Sequence, residues 1–366
     1  MSESLKGALI IGQSGGPSSV INASAYGVIR TALDADCITK VYGAYHGIKG
    51  VLEDQLLDMD AEDRAELDRL PYTPSSALGS CRYKLPADLE SEVYPAIFDN
   101  FREMNIGYFL YVGGNDSMDT VDKLSRYAEK IGSDVKFIGI PKTIDNDLPC
   151  TERTFGFDTA MAMATEALDR IHTTAESHHR VMALEVMGRY AGWIALHSGI
   201  AGGADVILIP EIPYSINSVI GKIRARQAAG KQFSIIVVAE GARPVGGEMS
   251  IARMVKGSFE PIRLGGAGEK LVREIEEKTG IESRCTVLGY LQRGGTPTPF
   301  DRVLSTRYGV AAAEACMRKE YNVMVSLQND KIVTEPIEKV ASEPRLVPVD
   351  SDIIRTGRQM GLCFGD

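Results

Sequence analysis

Residues 108–130 read YFLYVGGNDSMDTVDKLSRYAEK. Residues 108–112 form an apolar run that predicts a buried strand, and the two glycines after it predict a turn. From residue 117 to residue 130 apolar side chains recur with the helical period, and Ser117 is the predicted N-cap of that helix. A strand that passes through glycines into a helix is the repeating step of a doubly wound α/β sheet, in which ligands bind beyond the carboxyl ends of the strands.

The same alternation extends along most of the chain. Short apolar runs predict strands over residues 8–11, 108–112, 136–140, 181–186, 206–209, 234–239 and 286–291. Helical periods predict helices over residues 18–33, 117–130, 158–174, 216–229 and 268–278. We therefore predict an α/β fold of doubly wound parallel sheets with helices on both faces. The glycine-rich residues 241–268, with Pro244 and Pro261, predict an insertion or a mobile loop over the site.

Length, charge and composition narrow the classes of protein. At 366 residues the chain is longer than one ordinary domain and suits two α/β lobes. A net charge of −9 argues against nucleic acid or an anionic membrane surface as a partner. No apolar run reaches the ~18–20 residues of a membrane helix, and the first residues lack a signal-peptide pattern, so we expect a cytoplasmic protein. The six cysteines and five histidines have neither CxxC nor HExxH spacing and predict no zinc or redox site.

A second glycine-rich turn ends the first predicted strand. It reads GQSGGP at residues 12–17, and a helix is predicted to begin at Ser18. Backbone N–H groups at such a turn and the positive end of a helix dipole suit a phosphate, although plain turn geometry also explains the glycines. The turn is neither GxGxxG nor a Walker loop, which argues against a nicotinamide dehydrogenase and against a P-loop nucleotidase.

A third loop, GIPKTIDND at residues 139–147, also follows a predicted strand. It places Lys142 and Thr143 close in sequence to two carboxylates, Asp145 and Asp147. Phosphoryl transfer needs a cation for the developing charge, a ligand for Mg²⁺ and a carboxylate that takes the proton of the acceptor hydroxyl. This loop could supply all three, and a solvated acidic turn is the alternative interpretation.

Four arginines lie near the ends of predicted strands. They are Arg180, Arg189, Arg284 and Arg293. A guanidinium group binds phosphate through two parallel hydrogen bonds, which suits a site that orients a charged sugar. Each arginine taken alone is more typical of a surface ion pair, but their common location at strand ends predicts a phosphate-binding site.

Five ordered segments together resemble the signature set of the phosphofructokinase-A family. They are residues 113–117, 141–147, 187–189, 239–241 and 288–295, within a similarity that runs from about residue 7 to about residue 315. The resemblance implies two similar Rossmann-like lobes with the active site between them.

The two implied lobes are each built from two stretches of chain. We place the phosphoryl-donor lobe at residues 1–156 plus 292–342. The sugar-phosphate lobe then comprises residues 157–291 plus 343–366.

The resemblance also implies roles for individual residues. Asp145 matches the general base that takes the proton of the sugar 1-hydroxyl, and Thr143 matches a ligand of the same part of the substrate. Further sugar-binding positions match Met187, Gly188, Arg189, Glu240, Tyr290 and Arg293. Donor-side positions match Gly15, Tyr45, Arg82 and Ser117. In family members the arginines matching Arg180 and Arg284 reach the sugar 6-phosphate from a neighbouring subunit, which implies a homodimer or homotetramer.

Two positions bear on the phosphoryl donor. Members that use ATP usually have glycine at the positions of Asp116 and Lys142, whereas members that use pyrophosphate resemble this sequence at both. A carboxylate at Asp116 would repel the α-phosphate of ATP, and Lys142 would neutralise charge on the pyrophosphate transition state. We therefore expect reversible phosphoryl transfer from pyrophosphate to fructose 6-phosphate, a step of glycolysis and gluconeogenesis. ATP is the alternative donor, and a catalytically silent sugar-phosphate-binding protein is a more distant alternative.

Mg²⁺ is the cofactor that the resemblance implies. Family members commonly have aspartate at the position of Asn115, a metal position. The amide oxygen of Asn115, directly or through a water, could bind the ion while Asp147 or Asp116 supplies negative charge.

The positions of a nucleotide effector site differ from the family pattern. Bacterial ATP-type members bind effectors through arginines where this chain has Ala25, Ile29 and Asp58. We therefore expect no allosteric regulation of that kind.

Overall fold

A computed structural model describes residues 5–254 and 262–366. The strands of this part of the chain are β1 (Gly7–Gln13), β2 (Ile38–Ala44), β3 (Leu56–Asp58), β4 (Ile106–Gly113), β5 (Lys136–Pro141), β6 (Val181–Val186), β7 (Val206–Leu208), β8 (Ser234–Ala239), β9 (Ile251–Met254), β10 (Ile262–Leu264), β11 (Ser283–Val287), β12 (Val323–Gln328) and β13 (Lys331–Pro336). The α-helices are α1 (Ile21–Ala32), α2 (Ile48–Leu52), α3 (Arg64–Leu67), α4 (Val93–Glu103), α5 (Asn115–Ile131), α6 (Phe157–His178), α7 (Trp193–Ala201), α8 (Ile216–Ala228), α9 (Ala267–Thr279), α10 (Pro299–Arg318), α11 (Ile337–Val340) and α12 (Asp352–Gln359).

The chain forms two compact units, each made of three stretches. Unit 1 contains the residues up to Thr143, then Leu148–Gly156 and Thr296–Glu343. Unit 2 contains Ile144–Asp147, Phe157–Gly295 and Pro344–Asp366. The sequence had placed residues 144–147 and 292–295 in the donor lobe, but both segments belong to unit 2. One reason is local packing, since Ile144 lies in the hydrophobic core of unit 2.

Unit 1 is built on a seven-stranded sheet in the order β13-β12-β5-β4-β1-β2-β3. The strands from β12 to β2 are parallel, and the two edge strands are antiparallel to their neighbours. Leu9 and Ile11 of β1 enter one hydrophobic core with residues of α1 and α10, whereas Ala8 and Ile10 enter another with residues of α4 and α5. Because both faces are covered, the central strands β1, β4 and β5 are mostly apolar, in agreement with the apolar runs that predict them.

Unit 2 is built on a four-stranded parallel sheet in the order β11-β6-β8-β7. On β6, Leu184 packs with residues of α6 and α7, and Ala183 packs with residues of α8 and α9 on the other face. Each unit is therefore an α/β layer structure with helices on both faces of a largely parallel sheet, and the predicted fold class is confirmed.

Three differences from the predicted elements affect residues of the predicted site. The strand predicted over residues 286–291 ends at Val287, and Gly289–Arg293 form a 3-10 helix in which Tyr290 and Leu291 are exposed, so this apolar run does not mark burial. The first helix begins at Ile21 rather than Ser18. Helix α5 begins two residues before Ser117, after Gly114, and Ser117 is buried in its first turn rather than capping it.

The glycine-rich residues 241–268 include regular structure. Strands β9 and β10 form an antiparallel pair there, while Pro261 lies outside the described residues. No helix within residues 5–254 or 262–366 has the length and apolarity needed to cross a bilayer.

Candidate active site

Five of the predicted site residues, among them three donor-side residues, follow four neighbouring parallel strands of unit 1. Lys142 and Thr143 follow β5, Ser117 follows β4, Gly15 follows β1 and Tyr45 follows β2. The register aligns the ends of these strands, because Gly113 pairs with Pro141, Gln13 with Val112 and Gly12 with Ala44. These five positions therefore lie along one edge of the sheet, the edge at which ligands bind in such folds.

Gly15 and Arg82 are brought together by backbone pairing, although they are far apart in sequence. The Gly15 N–H donates to the carbonyl oxygen of Cys81 (3.1 Å), and Ser14 forms a parallel bridge with Cys81. The Ser80 hydroxyl donates to the Gly15 carbonyl oxygen (2.6 Å). Gly15 has a φ of 77°, a left-handed conformation that suits glycine, and Arg82 follows this pairing directly with an exposed side chain.

The turn after β4 is tightly packed around Gly113. A Cβ atom at Gly113 would lie 1.9 Å from the Ser117 Oγ, so the position does not accept a side chain. The carbonyl oxygen of Gly113 accepts the N–H of Lys142 (2.9 Å), which links this turn to the loop after β5. Asp116 is exposed in the first turn of α5, where the helix dipole favours a carboxylate, and lies 3.2 Å from the ammonium of Lys84.

Lys142 is only 4% exposed, yet its ammonium lies at this edge of unit 1. Its Nζ donates to the carbonyl oxygen of Gly16 (2.5 Å), in the loop after β1. The carbonyl oxygen of the next residue, Thr143, accepts the hydroxyl of Thr154 (2.7 Å). The structure thus places the cation of Lys142 against the loop that carries Gly15.

Sequence reasoning missed two buried amides that hold these loops. Gln13 is fully buried and donates from Nε2 to the Asn22 Oδ1 (3.1 Å). Asn22 in turn donates to the carbonyl oxygens of Thr73 (2.8 Å) and Ser75 (2.7 Å). A polar side chain at the end of an otherwise apolar strand was a signal, since a buried amide needs partners.

Tyr111 is a third missed residue of unit 1. Its buried hydroxyl accepts the N–H of Ile48 (3.2 Å) and lies 3.7 Å from the Cys81 Sγ. Burial raises the pKa of this phenol, so it stays protonated and can act as a hydrogen-bond donor. The hydroxyl connects the segment that follows Tyr45 with the segment that precedes Arg82.

In unit 2, the predicted sugar-binding residues follow three neighbouring parallel strands. Met187, Gly188 and Arg189 follow β6, Glu240 follows β8, and Tyr290 and Arg293 lie in the 3-10 helix after β11. The buried side chain of Gln292 accepts the N–H of Met187 (3.3 Å) and donates to the Gly289 carbonyl oxygen (3.0 Å). A Cβ atom at Gly241 would lie 2.0 Å from the Arg189 carbonyl oxygen, so glycine permits this close approach.

Glu240 lies among three charged side chains of this unit, Glu185, Arg189 and Arg293, which affect the pKa of its carboxyl group. Burial raises the pKa of its carboxyl, the nearby Glu185 raises it further, and the positive charges of Arg293 and Arg189 oppose both effects. A carboxylate beside two arginines can accept hydrogen bonds from sugar hydroxyls while the guanidinium groups bind phosphate. The structure thus brings three of the predicted sugar-binding residues together.

Glu185 was missed by sequence reasoning. It is 2% exposed in β6, and its two carboxylate oxygens accept the N–H groups of Gly266 (3.1 Å) and Gly268 (2.8 Å) at the start of α9. A carboxylate inside the apolar strand VMALEV was the available signal, because a buried charge must be paired or hydrogen-bonded.

The predicted general base, Asp145, is half-buried in a short segment that belongs to unit 2. The next residue, Asn146, is fully buried with a φ of 53°. The carbonyl oxygen of Asp147 accepts the N–H of Arg345 (2.7 Å), and that of Asn146 accepts an Arg345 Nη1 donor (3.4 Å). The backbone that follows Asp145 is therefore fixed by a residue 199 positions away from Asn146 in the chain.

Arg180 and Arg284 lie at the opposite ends of their strands from the other sugar-site residues. Arg180 precedes β6, Arg284 is the second residue of β11, and both bind the carboxylate of Glu282, at 2.8 Å and 2.6 Å. The hydrogen bond from Arg180 lowers the pKa of Glu282. Six residues of β6 separate Arg180 from Met187, roughly 20 Å of extended chain. The four arginines therefore lie in two places. Arg189 and Arg293 lie beyond the carboxyl ends of β6 and β11, whereas Arg180 and Arg284 lie at the amino ends of the same strands.

The predicted metal ligands offer oxygen atoms of the kind that Mg²⁺ prefers. Asn115 opens α5 beside Asp116, and Asp147 is 8% exposed. Within residues 5–254 and 262–366, no group of three or more His, Cys, Asp or Glu side chains forms a metal cage. Mg²⁺ in phosphoryl-transfer sites usually keeps several waters and binds one or two carboxylates plus the phosphates of the substrate, so these oxygens suit an ion that arrives with a phosphorylated donor.

The three effector-site positions carry no cation. Ala25 and Ile29 are buried in the core of unit 1, and Asp58 forms an ion pair with Lys40 (2.7 Å).

A family model described as Phosphofructokinase matches residues 8–316 of the chain. The match spans both units and includes every donor-side and sugar-side position named above.

Similar proteins divide over the phosphoryl donor. A protein of Chloroflexus aggregans named ATP-dependent 6-phosphofructokinase is 44% identical over 360 residues, with 96% of each chain covered. One of Clostridium perfringens named ATP-dependent 6-phosphofructokinase 2 is 48% identical over 269 residues, which cover 73% of this chain and 72% of that one. The crystal structure of a pyrophosphate-dependent phosphofructokinase from Marinobacter aquaeolei matches with a TM-score of 0.82 and 30% identity, over 99% of this chain and 93% of that one.

Proposed function

The chain belongs to the phosphofructokinase family, and from this premise we propose that it transfers a phosphoryl group from pyrophosphate to the 1-hydroxyl of fructose 6-phosphate. The products are fructose 1,6-bisphosphate and inorganic phosphate, and the reaction is reversible. Membership of the family makes the protein a phosphotransferase. The choice of donor, the roles of single residues and the assembly are parts of the proposal.

The exposed carboxylate of Asp116 at the start of α5 is the observation that supports pyrophosphate as the donor. The Asp116 side chain is 52% exposed in the first turn of α5, at the edge of unit 1 where the donor-side residues lie. A nucleotide α-phosphate held at that helix N-terminus would meet a second negative charge and bind more weakly. Pyrophosphate has no α-phosphate to place there, so the carboxylate selects against ATP alone.

ATP is the second candidate donor, because the relatives from C. aggregans and C. perfringens are both named ATP-dependent. One contact also favours it: Lys84 lies 3.2 Å from Asp116 and offsets part of its negative charge. We rank ATP second because whole-chain identity weights all positions alike, whereas the donor is chosen by the few side chains that face its phosphates.

In the proposed reaction Asp145 takes the proton of the 1-hydroxyl as that oxygen attacks the terminal phosphorus of pyrophosphate. The new O–P bond forms while the bond from this phosphorus to the bridging oxygen breaks, and phosphate leaves. Lys142 stabilises the negative charge that develops on the phosphoryl oxygens, and its buried stem and contact with Gly16 fix the ammonium in advance. Arg189 and Arg293 bind the sugar phosphate.

Mg²⁺ would supply charge neutralisation on the donor phosphates, with Asn115, Asp116 or Asp147 as the protein oxygens that could hold it. We also expect no nucleotide effector site of the bacterial kind, since Ala25 and Ile29 are core residues.

The sugar-phosphate site is proposed to be shared between subunits of a homodimer or homotetramer. Arg180 and Arg284 lie at the far end of the unit 2 sheet from Met187 and Glu240, so within one chain they cannot bind the same sugar. A neighbouring copy that presented this pair would complete the site, as the family resemblance implies.

A steady-state assay with fructose 6-phosphate and Mg²⁺ tests the donor, with kcat/KM measured for pyrophosphate and for ATP. We expect wild-type protein to prefer pyrophosphate. Asp116→Asn keeps the size of the side chain and removes its charge, whereas Asp116→Gly also makes room, so the pair separates repulsion from steric exclusion. Both should raise the ratio of ATP to pyrophosphate kcat/KM, whereas Asp99→Asn, at an exposed position of α4, should leave it unchanged.

Wild-type preference for ATP would refute the pyrophosphate proposal in favour of the second candidate. An unchanged donor ratio in both Asp116 variants would refute the role of this residue. Absence of turnover with either donor would support the silent sugar-phosphate-binding alternative.

A further inference from the structure

Residues 345–347 pass against the segment that carries Asp145 and against the start of α7. We infer that Arg345, held in place by Trp193 and Glu211, is a positioning residue for the general base Asp145. The inference rests on the proposed function, because it assumes that Asp145 is the base. None of these three residues has a local sequence pattern that predicts such a role.

The first step is the contact between Arg345 and the backbone that follows Asp145. Arg345 binds the carbonyl oxygens of two consecutive residues, Asn146 (3.4 Å) and Asp147 (2.7 Å), through its side chain and its own N–H respectively. Asn146 has a left-handed φ of 53°, which turns the chain immediately after Asp145. Since the side chain of Asp145 follows its backbone, these two hydrogen bonds restrict where its carboxylate can lie.

The second step is that Trp193 restrains Arg345 itself. The guanidinium carbon lies 4.3 Å from the centre of the indole ring, within the range of a cation–π contact. The indole Nε1–H donates to the carbonyl oxygen of Arg345 (3.1 Å). Trp193 is 6% exposed, so its ring is fixed by packing in the core of unit 2. The N–H, carbonyl oxygen and guanidinium group of Arg345 therefore all have partners in unit 2.

The third step is that Glu211 links the backbone segments on either side of the contact between Arg345 and Trp193. Its Oε1 accepts the N–H groups of Val347 (2.8 Å) and Gly192 (3.0 Å), and its Oε2 lies 3.2 Å from the same Gly192 nitrogen. Gly192 directly precedes Trp193, and Val347 lies two residues after Arg345. One carboxylate thus ties together the two segments that meet at Arg345.

The fourth step concerns the expected consequence. A reacting group must be held within fractions of an ångström, and a misplacement of ~1 Å can cost ~10²-fold in rate. Replacement of the Arg345 side chain removes the hydrogen bond to Asn146 and the contact with Trp193, and leaves the backbone N–H to Asp147 in place. It should therefore lower kcat by ~10- to 10²-fold. The KM for the phosphoryl donor should change little, because the proposed donor-side residues belong to unit 1.

A double-mutant cycle between Arg345 and Asp145 tests the inference. Arg345→Met keeps an unbranched stem and removes the guanidinium group, and it is measured alone and together with Asp145→Asn. If Arg345 acts through Asp145, its loss should change kcat by about threefold or less once the carboxylate is gone, because residues that act as a unit are not additive.

Arg358→Met is the matched control. Arg358 also lies in the C-terminal stretch of unit 2 and over an aromatic ring, that of Phe364 at 5.2 Å, but it pairs with Asp366 and not with residues 145–147. It should lose a similar amount of thermal stability and keep its kcat. Trp193→Phe is a milder variant that keeps a ring under Arg345 and removes the indole N–H, and it should lower kcat by a smaller factor.

Each outcome bears on the inference. A fall in kcat that is lost in the Asp145→Asn background, with the control unaffected, supports it. An equal fall in both backgrounds, or an unchanged kcat in folded Arg345→Met and Trp193→Phe proteins, overturns it and leaves the proposed function intact. If Asp145→Asn itself keeps wild-type kcat, the assignment of the base fails and the inference is overturned with it.

Discussion

The loops that carry the proposed site residues are held in place by partly different chemistry in the two units. In unit 1, most of the groups that hold the loops after the strands are neutral: the amides of Gln13 and Asn22 and the phenol of Tyr111, beside the ammonium of Lys142. In unit 2, two carboxylates also hold such loops, Glu185 at the start of α9 and Glu211 at the start of α7, beside the neutral amide of Gln292.

The difference has a physical consequence for pH. Neutral amides do not titrate, so the framework of unit 1 should hold its geometry over a wide pH range. Burial raises the pKa of Glu211 and of Glu240, which makes the framework of unit 2 sensitive to protonation. Under the proposed function, variants in the two units should also affect different kinetic constants. Variants in unit 1 should change the kinetics for the phosphoryl donor, and variants in unit 2 should change the KM for fructose 6-phosphate or the rate of proton transfer.

The largest expected effect lies in unit 2. Asp145→Asn should lower kcat by ~10²–10⁴-fold, the range of a positioned general base, while the KM for either substrate stays near its wild-type value. Steady-state kinetics with both substrates varied would measure it. Asp352→Asn, an exposed residue at the start of α12, is the control and should leave kcat unchanged. A near wild-type kcat in Asp145→Asn would rule this residue out as the base.

The next effect belongs to unit 1. Lys142→Met keeps most of the buried stem and removes the ammonium, and pyrophosphate-dependent kcat should fall by ~10²–10³-fold with a smaller change in affinity. Lys123→Met is a matched control, because Lys123 is also a buried lysine of unit 1 whose Nζ donates to a loop carbonyl, that of Leu85 (3.0 Å). Similar kinetic losses in both variants would mean that Lys142 acts only on stability.

A smaller expected effect, the partial recovery of activity in mixed oligomers, tests whether residues of unit 2 act in the site of a neighbouring subunit. Arg284→Ala and Asp145→Asn proteins should each be nearly inactive, and mixing them should restore activity in about one quarter of the sites if random exchange forms dimers with shared sites. Activity would be measured before and after exchange, with native mass spectrometry to confirm mixed oligomers. Mixed oligomers without recovered activity would show that Arg284 does not complete the sugar-phosphate site of a neighbouring subunit.

The smallest expected effect is on stability. A carboxyl whose pKa is higher in the folded than in the unfolded protein makes the free energy of unfolding fall as pH rises from the unfolded pKa through the folded one. For Glu211 this decline begins near its ordinary value of 4.5, and its contribution is largest below that pH. In Glu211→Gln the decline should be shallower.

The single tryptophan of the chain makes this measurement specific to unit 2. Trp193 is buried there, so urea unfolding followed by its fluorescence at several pH values reports on this unit. Glu277→Gln, on the exposed face of α9, is the control and should keep the wild-type slope. Equal slopes in all three proteins would show that Glu211 does not contribute to the pH dependence.

Much of the fold could be predicted because it depends on local patterns. Strands β6 and β8 have the predicted bounds, since an apolar run in a sheet covered on both faces is continuous and ends sharply. The prediction over residues 286–291 failed because Tyr290 and Leu291 are apolar but exposed, and a run of apolar residues does not by itself distinguish burial from a surface turn.

The candidate site could be predicted only in part. The polar loop after a predicted strand led to Lys142 and Asp145, because in parallel sheets such loops gather at one edge, whereas Gly15 followed from the family resemblance. The positioning residues Gln13, Tyr111, Glu211 and Arg345 were missed, because each acts through partners distant in the chain. A buried polar residue in an apolar strand indicates that partners exist and does not identify them.

The sequence by itself determined the α/β class, the strand-end loops and, through its family resemblance, the residue types that phosphoryl transfer requires. Spacing along the chain encodes these features directly. Only the tertiary structure decided that Asp145 belongs with unit 2 and that Arg180 and Arg284 lie at the far ends of their strands. It also decided that Arg345 binds the backbone of Asn146 and Asp147. Such contacts depend on how whole sheets and helices pack, and packing brings together segments whose separation in sequence carries no periodic signal.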